Sequence, residues 1–151
     1  MRLALAADVA AVRELVRAAF LVYVPRIGRE PAPMGVDYAA VVGEGRCWVD
    51  VGDDGRIVGM IQCAVADGFL EVETVAVAPE AHGRGVGSRL LAFAEERARE
   101  LGLPEVRLCT NEAMTENIAY YPRRGFREVG RTTQHGYRRV FFAKGIVGPD
   151  G

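Results

Sequence analysis

Three glycines alternate in His82-Gly83-Arg84-Gly85-Val86-Gly87-Ser88, after a β-branched run at 72–77 and before a helical stripe that starts at Val86. A strand that stops at Pro79 and enters a helix through glycines gathers several backbone N–H groups in one small concavity. The first N–H groups of a helix have no internal partner and sit at the positive end of its dipole. Such a place holds phosphate. Each glycine weakens a helix start by ~1 kcal/mol relative to alanine, more than a plain turn requires. The run lacks the GK[ST] ending of a nucleotide triphosphatase loop. It is not GxGxxG and lies mid-chain, which disfavours a dinucleotide fold. A pair of acids, Glu71 and Glu73, stands just upstream. They have the same parity on the strand expected at 69–77, so both can point to one face. An ordinary solvated pair is the competing reading.

The elements that must position these groups follow from hydrophobic periodicity. Helical spacing predicts helices over 8–23, 34–43, 85–101 and 113–121. The buried stripe of the third is Val86, Leu90, Leu91, Ala94, Ala98 and Leu101. Strands are expected at 1–5, 46–51, 56–66, 69–77, 105–110, 126–132 and 137–144. Gly52-Asp53-Asp54-Gly55 reads as a hairpin turn, because Asp and Gly tolerate the positive φ it needs. Pro25 is expected to end the first helix, with 25–33 a loop. Arg26 and Arg29 on that loop, with Tyr38 after it, are candidate substrate contacts; an ordinary connection is the alternative. His135 falls on a turn and reads as solvated. The order is βααβββαβαββ, an α/β protein with a central, mixed, mostly antiparallel sheet of six to seven strands and helices on both faces. The 69–77 and 105–110 strands flank a helix and should be parallel neighbours through a right-handed crossover.

A chain of 151 residues, half of them hydrophobic, can bury the core of one domain, here 1–146, with 147–151 expected to fray. A formal charge of −1 argues against a nucleic-acid groove. No apolar run approaches a membrane span, and Asp8 and Arg13 come too early for a signal-peptide core. Cys47, Cys63 and Cys109 match no zinc spacing, so no metal is expected and the thiols read as buried groups of a reducing cytoplasm.

Here the residues meet a family pattern. The glycine run resembles the Q/R-x-x-G-x-G/A signature of the GNAT superfamily of acyl-CoA-dependent N-acyltransferases. His82 stands at the Gln/Arg position, and Gly85 and Gly87 at the two glycines. A second stretch resembles the later signature, an Asn followed by Tyr-x-x-x-Gly-Phe, with Tyr121, Gly125 and Phe126 in place. Met114 occupies the usual Asn position, which leaves Asn117 or Asn111 to serve instead. Pro122 also departs from the pattern and should place Tyr121 at a helix end.

The resemblance implies acetyl-CoA as cosubstrate. Its pyrophosphate would be held by His82, Gly83, Arg84, Gly85, Val86, Gly87 and Ser88, chiefly through backbone amides. The backbone of Val75 and Val77 would pair with pantetheine, with Asn117 adding a contact. It further implies acetyl transfer by direct attack of a primary amine of a small molecule or peptide. That amine must be neutral, and freeing a lysine-type amine of its proton at pH 7 costs ~4–5 kcal/mol. Glu73, nearer the thioester, or Glu71, or water alone, would take the proton. Tyr121 would protonate the departing thiolate. A catalytically idle CoA-binding regulatory domain and an acyltransferase for a longer acyl-CoA are the alternatives. The last strands would be the surface for any homodimer.

Overall fold

The computed structural model describes residues 1–147, so most of the segment expected to fray lies outside the described residues. Seven strands form one sheet in the order β1-β2-β3-β4-β5-β7-β6. They are β1 (Arg2–Leu3), β2 (Cys47–Val51), β3 (Ile57–Ala66), β4 (Phe69–Val77), β5 (Glu105–Asn111), β6 (Arg127–Gln134) and β7 (Tyr137–Gly145). The helices are α1 (Val9–Phe20), α2 (Val24–Ile27), α3 (Tyr38–Gly43), α4 (Val86–Glu100) and α5 (Thr115–Arg123). The mixed, mostly antiparallel α/β class holds, with β4 and β5 the parallel pair. The chain divides into two compact units whose boundaries fall within β3, β4 and α4.

The first unit comprises Met1–Cys63 and Thr74–Phe93. In it β2 pairs antiparallel with β1 and β3, and the 52–55 turn forms as expected, with Gly55 at φ 82°. The alternation of β2 sorts its two faces. Trp48 stacks on Phe93 of α4 (5.3 Å between centroids) and Asp50 pairs with Arg89 of α4, while Cys47 and Val49 are buried on the opposite side. Val86 and Leu90 of α4 press against β3 at Gly59. A methyl group there would lie 2.6 Å from Val86 Cγ1 and 3.1 Å from Leu90 Cδ1. A glycine inside a strand here serves the close approach of a helix. Gly59→Ala is therefore expected to displace the start of α4 and cost about 1–3 kcal/mol in denaturant unfolding. An unchanged midpoint would show that the contact relaxes freely.

The second unit comprises Ala64–Glu73 and Ala94–Gly151. Its parallel register sets Leu70, Glu71 and Val72 against Val106, Arg107 and Leu108. β7 pairs antiparallel with both β5 and β6. A two-residue turn joins β6 to β7, with His135 at φ 52° and Gly136 at φ 81°, and His135 is exposed as expected. β6 is an edge strand with every residue exposed, and its pairing with β7 shifts between Glu128 and Gly130.

Four expectations need correction. α1 ends at Phe20, and Pro25 does not stop it; Pro25 instead lies in the first turn of α2, where its missing N–H has no helical acceptor to lose. A one-turn helix thus stands inside the expected loop. Leu101 is 41% exposed and lies past the end of α4, so the buried stripe closes at Ala98. Tyr38 is only 2% exposed, with its hydroxyl donating to Pro33 O at 2.6 Å. Burial pushes its phenol well above the usual range. It is a core residue and offers no surface to a substrate. Finally, α5 runs through Pro122 to Arg123, because proline in the last turn removes one hydrogen bond while the turn beyond is closed by Arg124, Gly125 and Phe126 N–H groups.

Candidate active site

The glycine run lies wholly in the first unit. β4 gives way at Ala78, whose N–H donates to Val58 O (2.8 Å), and a 3-10 turn over Pro79–Ala81 follows. His82 is extended and exposed, then Gly83 (φ 81°) and Gly85 (φ 78°) take the left-handed conformation. That region is open to glycine and strained for other residues. The first bond of α4 runs from Arg89 N–H to Gly85 O at 3.0 Å. The N–H groups of Val86 and Gly87 therefore precede it, at the positive end of the dipole. Such an arrangement of backbone N–H groups is chemically able to hold an anion.

A charged latch holds the loop. Arg89 Nε donates to Asp50 Oδ2 at 3.0 Å, and its Nη1 donates to Arg84 O at 3.1 Å. Asp50 is 7% exposed, so this carboxylate is well shielded from water. One guanidinium thus ties a buried acid of β2 to the middle of the loop. The planar fork of arginine suits this double role in a way lysine cannot match.

Val75 and Val77, half-buried on β4, also lie in the first unit, whereas Glu71, Glu73, Tyr121, Asn117 and Asn111 lie in the second. Alternate residues Leu70 and Val72 of β4 are buried, leaving Glu71 and Glu73 together on the open side. The Glu71 carboxyl is raised above its ordinary value, first by desolvation where the sheet partly encloses it, then by the charge of Glu73; Arg139 opposes both. The Tyr121 ring is 8% exposed, edge-on to Tyr120 (5.6 Å) and Phe126 (5.8 Å) and tilted on Phe142 (5.5 Å). Met114 is buried, and Asn117 one turn later donates Nδ2 to Thr110 Oγ1 (3.2 Å) and Met114 Sδ (3.6 Å). The Asn111 side chain instead accepts from Ala113 N–H at 2.9 Å, forming the turn that leads into α5.

After α5 the chain turns at Gly125, φ 90°. Lys144 closes over it, with Nζ donating to Arg124 O (2.8 Å) and pairing with Glu95 (2.7 Å). The positive φ of Gly125 accounts for glycine at this place in the second signature, since the Lys144 Cε that a methyl group would meet at 3.0 Å belongs to a flexible side chain.

The acetyltransferase (GNAT) family model matches residues 9–126. The chain belongs to that family. Aminoalkylphosphonate N-acetyltransferase of Salmonella typhimurium is 33% identical over 81 residues, half of this chain. The chain spans 53% of that relative's length. The PaiA N-acetyltransferase of Thermoplasma acidophilum in complex with coenzyme A shares the fold, with a TM-score of 0.76 at 16% identity over 95% of this chain and 96% of that one. A phosphinothricin acetyltransferase from Sinorhizobium meliloti, in complex with acetyl-CoA, gives 0.73 at 23% identity over 99% of this chain and 90% of that one.

Within this GNAT chain, the structure brings Gly83, Arg84, Gly85, Val86, Gly87 and Ser88 into one loop and helix start. The pairing of Asp50 with Arg89 is not written in the local sequence of either residue. One signal was present: an aspartate inside an apolar strand needs a charged partner once buried. Among the described residues, no group of three or more His, Cys, Asp or Glu is placed to hold a metal ion, and no helix is long and apolar enough to cross a membrane.

Proposed function

We propose that this chain transfers an acetyl group from acetyl-CoA to a primary amine. The observation that carries the reading is the left-handed pair Gly83 and Gly85 opening α4, a backbone cradle suited to a pyrophosphate, in a chain of the acetyltransferase (GNAT) family. The amide groups from Gly83 to Ser88 would hold the pyrophosphate, with His82 beside them. The backbone of Val75 and Val77 would align the pantetheine. Asn117, whose two amide hydrogens are committed inward, would offer its carboxamide oxygen. The compartment we assign is the cytoplasm, where the thiols of Cys47, Cys63 and Cys109 stay reduced.

In the reaction the neutral amine attacks the thioester carbon, and a tetrahedral intermediate forms. The carbon–sulfur bond breaks, the amide remains, and the thiolate takes a proton from the Tyr121 hydroxyl. A carboxylate takes the proton shed by nitrogen, directly or through water. We assign the role to Glu71, whose carboxyl is raised, since a base works best when its pKa approaches the working pH. The base must be ionised, so kcat/KM should climb as pH rises through the Glu71 pKa, above the ordinary glutamate range. Glu71→Gln is expected to erase this acidic limb. A limb kept in that variant and lost in Glu73→Gln would transfer the role to Glu73. The decisive assay for the whole reading is release of CoA from acetyl-CoA in the presence of an amine and peptide panel. Tight CoA binding with no release for any acceptor would leave a binding domain in its place.

A further inference from the structure

The second unit contains a cavity of about 400 Å³ on the side of its strands that carries Glu71. Phe69, Val129 and Phe141 supply apolar wall, and Glu71, Arg107 and Arg131 supply charge. This volume lies in the range that encloses a small organic molecule.

The balance of charge in the cavity is uneven. Arg107 pairs with Glu105 at 2.7 Å and lies over the Phe69 ring at 4.5 Å. Arg131 gives Nε and Nη2 to the two oxygens of Glu128 (3.1 and 3.0 Å) and Nη1 to Glu112 (3.3 Å). Both guanidinium charges are thus already opposed by carboxylates. Among the described residues no cation lies within ion-pair distance of Glu71, which feels Arg139 only at longer range. The charge left to a ligand is negative, and the rest of the wall is mostly hydrocarbon.

We infer that this cavity is the acceptor pocket, and that it takes a primary amine bearing one apolar ring or chain and no second charge. The ammonium end would approach Glu71 and the apolar end would lie against Phe69, Val129 and Phe141. An added carboxylate would find arginines whose charge is already opposed by Glu105, Glu112 and Glu128, and a second ammonium would have to enter apolar wall. Both would be disfavoured. The inference rests on the acetyl-transfer reading above, with Glu71 beside the attacking nitrogen.

The test compares 2-phenylethylamine, phenylalanine and spermidine as acceptors with acetyl-CoA, and measures binding of 2-phenylethylamine by calorimetry in parallel. The wild-type kcat/KM for 2-phenylethylamine should exceed the other two by about tenfold or more. Phe141→Ala should raise its KM about tenfold and leave the KM for acetyl-CoA unchanged. Val129 is half exposed at the irregularity in β6, so Val129→Trp should fill the cavity without unfolding the chain and raise the same KM. Preference for phenylalanine or spermidine would overturn the inference. So would a KM for 2-phenylethylamine unmoved by either substitution, or its failure to bind. Binding that both variants weaken, with no acetyl transfer to any amine, would keep the pocket and overturn the acetyl-transfer reading instead.

Discussion

Tyr121→Phe should lower kcat by about 10²-fold, the lower end of what a positioned general acid contributes. The affinity for acetyl-CoA should stay within about twofold, because the loop that would hold the pyrophosphate is untouched. The substitution is clean for a structural reason. The Tyr121 ring packs against Tyr120, Phe126 and Phe142, and phenylalanine keeps all three contacts. The melting temperature should therefore move little, and a loss of rate cannot be assigned to unfolding. Tyr120→Phe is the control. Tyr120 is half-buried beside Arg124, whose guanidinium lies over its ring at 5.2 Å, and its hydroxyl has no assigned role. Stopped-flow and steady-state thiol release would measure both variants. A rate for Tyr121→Phe equal to wild type would remove the acid from the mechanism and leave water to protonate the thiolate.

Gly85→Val should weaken acetyl-CoA binding by about 10²-fold, equivalent to about 2.7 kcal/mol. Two effects combine. Gly85 sits at φ 78°, where a β-branched residue is strained by about 1–3 kcal/mol, so the loop would relax to another path. Its side chain would also grow near the Arg89 Nη1 that a first carbon already meets at 3.7 Å, crowding the latch. Gly87→Trp, one residue inside α4, should abolish binding by bulk alone. Titration of CoA into each variant checks this. Full affinity in both would place the pyrophosphate elsewhere.

A smaller and more specific effect is expected from the latch. Arg89→Lys keeps the charge but has one nitrogen where the guanidinium reaches Asp50 and Arg84 O from two. The KM for acetyl-CoA should rise about tenfold with kcat nearly unchanged, a split that general destabilisation would not produce. An equal fall in kcat would mean that the latch supports more than the loop.

Much of the candidate site was readable along the chain because it is local. The glycine run, the alternation of Glu71 with Glu73, and the spacing of Tyr121, Gly125 and Phe126 each lie within one short stretch, where backbone geometry follows from residue type and period. Sheet class and most element boundaries followed for the same reason. Proline misled twice. Its effect depends on its place in the helix, harmless in the first turn at Pro25 and tolerated in the last at Pro122. Met114, which stands at the usual Asn position, is buried, and its sulfur accepts hydrogen bonds from Thr110 and Asn117.

What the chain order could not express was which distant residues meet. Asp50 and Arg89 are 39 residues apart, and neither position names its partner. The same holds for Gly59 beneath Val86 and for Lys144 over Gly125. Tyr38 read as a surface contact until α3 folded it into the core with its hydroxyl on Pro33. Periodicity records which face of an element is apolar, whereas the register of strands and the seating of α4 on β3 decide what that face touches. The candidate residues were therefore visible as a list of types. Their pairing, and the loss of Tyr38 from the list, came from packing.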